Sequence, residues 1–205
     1  MKNDKNMIDT KIPFLYSVPN VMTNEVCKQY IDAFEKSTIK KEVDYRLGDG
    51  SIHKKSTDIY FKNDTKSDWY IKEKYGWYDL FFELNNVLNY HLKEYYNLYP
   101  ELNQLPMVEC MNFNVQKYKP GEGFGGWHFE SSYGEGGRKL VWMIYLNDLE
   151  DGGTEFKYQN HRENAEMGKL LIWPADWTFT HRGQISNTTT KYILTGWFED
   201  IKYDE

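Results

Sequence analysis

The sequence predicts a mainly β protein in which supporting helices come first and a β core follows. After Pro106, short apolar or alternating runs recur at roughly 8–20-residue spacing with glycine and proline between them, which is typical of a sandwich or a barrel. Aromatic residues make up 17% of the chain, and this favours half-buried strands. Helical spacing of apolar residues is strong only before Pro106. The length of 205 residues fits a single domain, residues 1–205.

Residues 1–106 are predicted to provide helices and flanking strands. Residues 1–11 are polar and charged and are expected to be frayed. Residues 12–18 form a short apolar run that predicts a strand. Thr23 or Asn24 can then cap a helix, because apolar residues follow at helical spacing: Val26, Tyr30, Ile31 and Phe34.

Two further segments complete this first half. Residues 40–66 mix charged residues with glycine and a short alternating run, which predicts a loop with an edge strand. A long helix is predicted from Asp68 onwards, ending at Pro100 and Pro106. Its six main apolar side chains fall on one face: Trp77, Phe81, Leu84, Leu88, Leu92 and Tyr95.

Residues 107–200 are predicted to form the β core. The segment 107–118 alternates polar and apolar residues, as a half-buried strand does. A turn at Glu150–Gly153 is expected to lead into one of the later strands. The remaining strand candidates are four apolar or alternating runs: 138–146, 154–156, 169–173 and 191–198.

Composition and charge narrow the class of protein. The formal net charge is −6 and no long basic tract occurs, so a nucleic-acid partner is disfavoured. No apolar run reaches the ~20 residues that a bilayer requires, and the polar residues 1–12 do not resemble a signal peptide. Cys27 and Cys110 lack the spacing of a metal or disulfide motif. We therefore expect a cytoplasmic protein with two buried free thiols and no membrane partner.

Three residues are candidate metal ligands and catalytic residues: His128, Glu130 and His181. His128 and Glu130 are two residues apart, and this spacing on a strand puts both side chains on one face. His181 follows the apolar run Leu170–Trp173 and an aromatic turn, so it is predicted to begin a strand at the edge of the core. Two imidazoles and one carboxylate are the ligand set of non-haem Fe(II) oxygenases. The other histidines lie in charged segments or in the long helix and are predicted not to bind metal: His53, His91 and His161.

Six short segments between Phe113 and Glu199 share their order with a known family. They are Val115–Gly121, His128-x-Glu130, Val141–Asn147, Asp151–Phe156, Gly168–Pro174 and Lys191–Phe198. Together they resemble the 2-oxoglutarate- and Fe(II)-dependent dioxygenases, in particular the prolyl 4-hydroxylase-like branch. One segment alone would be weak evidence, whereas six in the right order are specific.

This resemblance implies a double-stranded β-helix (jelly-roll) core and an enzyme that hydroxylates a substrate C–H bond. Fe(II) is the implied metal, 2-oxoglutarate and O2 are the implied cosubstrates, and succinate and CO2 are released. Ascorbate is a further cofactor that the resemblance suggests. The branch points to a peptidyl proline as the substrate, while another peptide, protein or small molecule stays open.

The resemblance also implies roles for five pocket residues. Lys191 occupies the family position of the cation that binds the far carboxylate of 2-oxoglutarate. Tyr145 matches a tyrosine that hydrogen-bonds the same carboxylate. Tyr118 and Thr195 belong either to this pocket or to the core. Trp197 either walls the cosubstrate pocket or belongs to the core alone.

Glu130 departs from the family pattern, which usually has aspartate at this position. The additional methylene extends the reach of the carboxylate by roughly 1–1.5 Å. Binding through both oxygens would then occupy a position that oxygen or the cosubstrate needs. Two glycine-rich stretches, residues 121–126 and 133–137, are either mobile lips over the entrance or simple tight turns. Arg138 and Arg182 either contact substrate or cosubstrate or face solvent, and we expect them to face solvent.

Two other classes of function stay open on the sequence alone. The same ligand types occur in catalytic zinc sites, although a zinc hydrolase has no need of Lys191. A jelly-roll binding module without catalysis, for a carbohydrate for example, would use exposed aromatic residues. A nucleic-acid demethylase of the same superfamily is disfavoured by the acidic net charge.

Overall fold

The computed structural model describes residues 11–62, 76–106, 108–132 and 137–200. Within these ranges there are two α-helices, α1 (Asn24–Lys36) and α2 (Trp77–Leu98), and two 3-10 helices, Pro100–Gln104 and Trp177–Phe179. The ten strands are β1 (Tyr16–Val18), β2 (Lys41–Arg46), β3 (Ile52–Lys62), β4 (Val108–Tyr118), β5 (Arg138–Tyr145), β6 (Leu149–Phe156), β7 (His161–Ala165), β8 (Leu170–Pro174), β9 (His181–Gly183) and β10 (Lys191–Asp200).

The strands form two antiparallel sheets. The major sheet has the order β1-β8-β5-β10-β4-β3-β2, and the minor sheet has the order β7-β6-β9. Neighbouring strands in the major sheet, such as β5 and β10, are far apart in sequence, so their pairing requires long connections that cross between the sheets. The predicted mainly β architecture with helices near the N-terminus is confirmed.

The two helices and one face of the major sheet form the first hydrophobic core. Thr23 caps α1, since its hydroxyl accepts a 3.3 Å hydrogen bond from the amide of Val26. The apolar face predicted for α2 is buried through Trp77, Leu84 and Tyr95. These helices meet side chains from the even-numbered positions of the central strands: Leu140, Trp142, Ile144, Leu170, Ile172, Leu194 and Phe198.

The opposite face of the major sheet packs against the minor sheet and forms a second core. Val141, Met143 and Tyr145 of β5 point to this side, and Phe156 of β6 meets them from the minor sheet. Strand β5 is therefore buried on both faces, which explains why its sequence is continuously apolar rather than alternating. A slip of one residue would exchange the two faces, so the packing fixes the register.

The structure differs from the sequence-based prediction in three strands. Residues 40–66 contain a hairpin, β2–β3, and β3 lies inside the sheet between β2 and β4, although only an edge strand was predicted. Glu150–Gly153 lies within β6, where the pairing with β7 shifts register. Strand β7 was not predicted, because its polar sequence has no apolar alternation.

Other predicted features lie partly outside the described residues. The segment 63–75 and Met107 are not described, and α2 begins at Trp77. No helix in the described part of the chain is long and apolar enough to cross a membrane. The assignment of residues 1–205 to one domain, with a division between residues 106 and 107, stays a prediction.

Candidate active site

Backbone pairing brings the three candidate ligands together. His128 and His181 form an isolated antiparallel bridge, in which each amide donates to the other carbonyl at 3.0 and 2.9 Å. The amide of Glu130 donates to the carbonyl of Ala175 at 2.9 Å. One ligand atom from each of the three side chains lies within 4.8 Å of the other two. The predicted strand start at His181 is present. The predicted strand through His128 and Glu130 is wrong, because His128 lies in an isolated bridge and Glu130 in a bend.

Both imidazoles are oriented by the backbone. The Nδ1 atom of His128 lies 2.8 Å from the carbonyl oxygen of Gly126, and that of His181 lies 2.8 Å from the carbonyl oxygen of Phe179. A carbonyl oxygen only accepts, so each Nδ1 carries a proton and donates it. The Nε2 lone pairs are then available to a metal, as in most protein sites with histidine ligands.

The electrostatics of Glu130 match those of a metal ligand. Its Oε1 lies 3.3 Å from Nε2 of His128 and 3.7 Å from Nε2 of His181. Burial raises the pKa of Glu130, but the positive charge that the two histidines carry when they are protonated outweighs burial and holds this pKa well below its usual range. Burial and the charge of His181 lower the pKa of His128. An ionised carboxylate and neutral imidazoles are the protonation states that a metal site requires.

The donor set fits a divalent cation. Two Nε2 lone pairs directed at a carboxylate oxygen repel it unless a proton or a cation lies between them. Two histidines and one carboxylate with further positions open suit non-haem Fe(II) and also catalytic zinc. The three side chains can therefore hold a metal ion without rearrangement of the backbone.

Aromatic side chains enclose the histidines. The ring of Phe124 stacks on His128 with a centroid distance of 3.5 Å and an interplanar angle of 4°. Trp173 meets His181 edge to face at 5.0 Å. The indole Nε1 of Trp197 donates a 3.1 Å hydrogen bond to Oε2 of Glu130. These contacts restrict the rotamers of all three candidate ligands.

A cavity of about 110 Å³ opens beside the three candidate ligands. This volume is many times the roughly 10–15 Å³ that a single water requires, so the cavity has room for a small organic acid. Strand β10 lines it with alternate residues, because side chains two apart share one face. Four of the five predicted pocket residues line the cavity: Tyr118, Lys191, Thr195 and Trp197.

Lys191 is a buried cation in the wall of this cavity. Its residue is 5% exposed, and its Nζ donates one long hydrogen bond of 3.4 Å to the carbonyl of Gly153. The rings of Tyr118 and Tyr145 lie 5.9 and 5.5 Å from Nζ. Among the described residues no carboxylate pairs with Lys191, and burial lowers its pKa to about 7.

Tyr145 lies behind the cavity wall. Its side chain is fully buried and does not line the cavity. Its hydroxyl is 2.6 Å from Oγ1 of Thr154, which does line the cavity. The contact between Tyr145 and a cosubstrate carboxylate therefore stays a prediction, and Thr154 is the hydroxyl that the cavity presents at this point.

Several cavity residues were not identified from the sequence, among them Gln116, Lys54 and Thr154. Gln116 accepts a 2.7 Å hydrogen bond from the hydroxyl of Tyr118 and donates at 3.0 Å to Asp58. Lys54 lines the cavity and pairs with Asp58 at 2.7 Å. Gln116 could have been identified from the sequence, because it is two residues from Tyr118 in β4 and therefore shares its strand face. Lys54 and Thr154 carried no such signal, because their place depends on pairing between distant strands.

The three remaining histidines lie outside the ligand cluster. His53 stands 6.4 Å from His128 between ring centroids. His91 is buried rather than exposed and shares a 2.8 Å hydrogen bond with the hydroxyl of Tyr16. His161 lies 2.9 Å from a carboxylate oxygen of Glu163.

The prediction that Arg138 faces solvent is wrong. Its side chain is only 18% exposed because it packs on the indole of Trp197, and it pairs with Glu199 at 3.2 Å. Arg182 is partly exposed and binds Glu155 at 2.6 Å.

The glycine-rich stretch 121–126 is joined to neighbouring segments by backbone hydrogen bonds. Four of these bonds join it to Ser186, Lys55, Gly183 and His53, at 2.8 to 3.1 Å. A side chain at Gly126 would overlap the ring of His53, so close packing requires glycine there. Most of the second stretch, residues 133–136, lies outside the described residues.

Comparison with known proteins identifies the region that holds the site. Residues 113–199 match the model of the 2OG-Fe(II) oxygenase superfamily. No curated protein sequence matches the chain.

Three solved structures share the fold of the chain. A viral collagen prolyl hydroxylase from Paramecium Bursaria Chlorella virus-1, in its 2OG complex, is similar with a TM-score of 0.64 and 14% identity, over 92% of this chain and 97% of that one. A Pseudomonas putida prolyl-4-hydroxylase has a TM-score of 0.60 and 13% identity, over 95% and 96%. A Trichoplax adhaerens prolyl hydroxylase in complex with a hypoxia inducible factor peptide fragment has a TM-score of 0.59 and 14% identity, over 93% and 86%. The predicted jelly-roll fold is confirmed.

The first testable consequence concerns metal binding. Glu130→Gln and His181→Ala each remove one of three ligands, and we expect the affinity for Mn(II), measured by anaerobic calorimetry on metal-free protein, to fall at least about tenfold. The matched control is His161→Ala, which lies outside the cluster and should bind Mn(II) like the wild type. Unchanged Mn(II) affinity in the two ligand variants would place the metal elsewhere.

Proposed function

Because residues 113–199 match the model of the 2OG-Fe(II) oxygenase superfamily, we propose that the chain belongs to this superfamily and is a hydroxylase that acts on a peptidyl proline. His128, Glu130 and His181 are its proposed Fe(II) ligands, and 2-oxoglutarate and O2 are its cosubstrates. The observation that carries this proposal is the buried ammonium of Lys191, which has no carboxylate partner among the described residues and lies in a cavity lined by all three candidate ligands.

Lys191 is proposed to bind the far carboxylate of 2-oxoglutarate. A buried cation without a counter-ion is costly, and a dianionic ligand would supply the missing charge. The Oγ1 of Thr154 is placed to accept or donate a further hydrogen bond, with the hydroxyl of Tyr145 fixing its rotamer from behind. Tyr118 supplies an aromatic wall next to the ammonium.

The chain's own residues would orient and isolate the reaction. Fe(II), when bound, supplies the activation of O2 and the oxidative decarboxylation that yields succinate and CO2. The apolar cavity side chains Val141, Met143 and Ile193 exclude water from the cosubstrate. Thr195 and Trp197 line the same space and are proposed to contact the cosubstrate.

A peptidyl proline is the proposed substrate class. Support comes from the names of the similar structures, which include a collagen prolyl hydroxylase and a prolyl hydroxylase bound to a peptide fragment. At a sequence identity of 13–14%, these similarities establish the fold alone. The substrate class therefore has to be determined by a direct assay.

Two rival functions fit the site less well. A zinc hydrolase would use the same three ligands, yet it gains nothing from burying Lys191. A binding module without catalysis would have no need of three ligand atoms within 4.8 Å of one another. In both cases the unpaired ammonium costs stability without a benefit.

The cellular setting and ascorbate are also proposed. Cys27 and Cys110 are buried and form no disulfide, which agrees with a reducing compartment such as the cytoplasm. Ascorbate is proposed as the reductant that keeps the iron in the Fe(II) state, and this rests on the family resemblance.

Lys191→Met tests the proposed cosubstrate site, because it removes the charge and keeps a side chain of similar length. We expect 2-oxoglutarate affinity, measured calorimetrically with Mn(II) bound, to fall by about 30-fold to 5,000-fold, equivalent to about 2–5 kcal/mol. Mn(II) affinity should stay unchanged. The control is Lys28→Met on the exposed face of α1. Wild-type cosubstrate affinity in Lys191→Met would exclude this role.

The pH dependence of cosubstrate binding follows from the lowered pKa of Lys191. In the free protein this pKa is about 7, and a dianion binds the protonated form. Affinity should therefore be constant below about pH 7 and fall about tenfold per pH unit above it, until the higher pKa of the complex is reached. Calorimetry in two buffers of different ionisation enthalpy would count the proton taken up. Constant affinity to about pH 9 without proton uptake would contradict this.

The substrate class requires a turnover experiment. The protein with Fe(II), ascorbate and 2-oxoglutarate should release succinate and add one oxygen atom to a proline-containing peptide, as measured by mass spectrometry. A peptide with alanine in place of proline is the control, and His181→Ala should abolish both signals. Succinate release that does not depend on proline would retain the oxygenase and reject the prolyl substrate.

A further inference from the structure

The two carboxylate oxygens of Glu130 have different surroundings. Oε1 faces the candidate metal position, at 3.3 Å from His128 and 3.7 Å from His181. Oε2 points away from it and accepts the 3.1 Å hydrogen bond from Nε1 of Trp197. Nη1 of Arg138 lies 3.7 Å from the same Oε2. The carboxylate thus has one oxygen free for a metal and one that the protein already binds.

The group that binds Oε2 is itself firmly placed. The guanidinium of Arg138 stacks on the indole of Trp197, with its central carbon 3.6 Å from the ring centroid. Arg138 also reaches the backbone carbonyl of Glu130 at 3.4 Å and the side chain of Glu199 at 3.2 Å. Trp197 therefore contacts both the metal ligand and a cation that also lies close to this ligand.

The strand that carries Trp197 fixes the position of the indole. Trp197 pairs with Val141 of β5, and the pairing of β10 with β4 shifts register between Gly196 and Phe198. A side chain at Gly196 would come within 2.7 Å of both the carbonyl of Asn112 and the ring of Trp142. Glycine at 196 thus lets three strands pack closely where the indole enters the cavity.

From these contacts we infer that Trp197 is a positioning residue that makes Glu130 bind the metal through one oxygen only. Turning the carboxylate so that both oxygens reach the metal would break the Nε1–Oε2 hydrogen bond, which is strengthened by the negative charge. It would also leave the partly buried indole N–H without its acceptor, which costs free energy. This inference rests on the proposed function only in that Glu130 is a metal ligand.

The inference explains how this chain can use glutamate where its family usually has aspartate. The longer side chain could fold back and bind through both oxygens, which would remove a coordination position that the cosubstrate needs. The additional methylene brings Oε2 of Glu130 within hydrogen-bond distance of the indole, which then holds this oxygen away from the metal. Aspartate, shorter by roughly 1–1.5 Å of reach, would withdraw this oxygen from Trp197.

The direct test is a pair of crystal structures with Mn(II) bound, of the wild type and of Trp197→Phe, which keeps an aromatic ring for Arg138 but has no N–H. We expect Mn(II) within coordination distance of Oε1 alone in the wild type and of both oxygens in the variant. Two-oxygen coordination in the wild type, or one-oxygen coordination in the variant, would overturn the inference.

A double-mutant cycle gives a second readout that a purely structural role of Trp197 would not produce. With Mn(II) bound, Trp197→Phe should weaken 2-oxoglutarate binding about 10–100-fold in the protein that keeps Glu130, the range usual for residues that orient metal ligands. In the Glu130→Asp variant the same change should cost less than about twofold. Trp177→Phe is the matched control, because this tryptophan is 63% exposed.

The outcomes separate this inference from the proposed function. Equal losses with Glu130 present and in the Glu130→Asp variant would mean that Trp197 acts only as a wall of the cavity, and the inference would fail while the oxygenase stands. A wild-type protein that binds neither Mn(II) at His128 and His181 nor 2-oxoglutarate would reject the proposed function itself.

Discussion

The buried ammonium of Lys191 has no carboxylate partner in the described part of the chain, and its need for a counter-ion is the main constraint on this site. Lys191 is buried against aromatic rings, with a single 3.4 Å hydrogen bond to a backbone carbonyl. In the unfolded chain its pKa would be near the ordinary value of about 10.4, whereas burial lowers it to about 7 in the folded protein. Between these values the unfolded state binds more protons, so this residue costs stability at neutral pH and costs less as the pH rises towards about 10. Other interactions in the folded protein offset this free-energy cost, and a dianionic ligand would remove it.

Strand β10 connects that charge to the metal ligands. Its alternate residues face the cavity, so Lys191 reaches one part of the wall and Trp197 reaches Glu130. Their neighbours on the opposite face, Leu194 and Phe198, belong to the core under the helices. The rigid core therefore positions both the cosubstrate cation and the group that orients the carboxylate. A displacement of β10 would disturb both ends of the cavity at once.

The sequence predicted those parts of the site that depend on local periodicity. His128 and Glu130 are two residues apart, and Lys191 begins an apolar strand, so their roles could be inferred from spacing and family resemblance. Strand β7 was missed because its buried positions are occupied by Glu163 and Ala165, with no apolar alternation. The bond between Trp197 and Glu130, and the chain from Tyr118 through Gln116, depend on the register between distant strands. Single-strand patterns do not contain that register.

Holding a metal ligand by its second oxygen is an economical way to tolerate a longer carboxylate. The amide of Glu130 donates a 2.9 Å hydrogen bond to the carbonyl of Ala175. This bond fixes the backbone, so a backbone shift cannot compensate for the additional methylene. The side-chain rotamer of Glu130 therefore has to accommodate the additional methylene. More than one rotamer would place the carboxylate next to an open metal position. A donor outside the coordination sphere selects one of them without taking a place in it. Arg138, expected to be solvated, is only partly exposed because its guanidinium packs on the face of this indole.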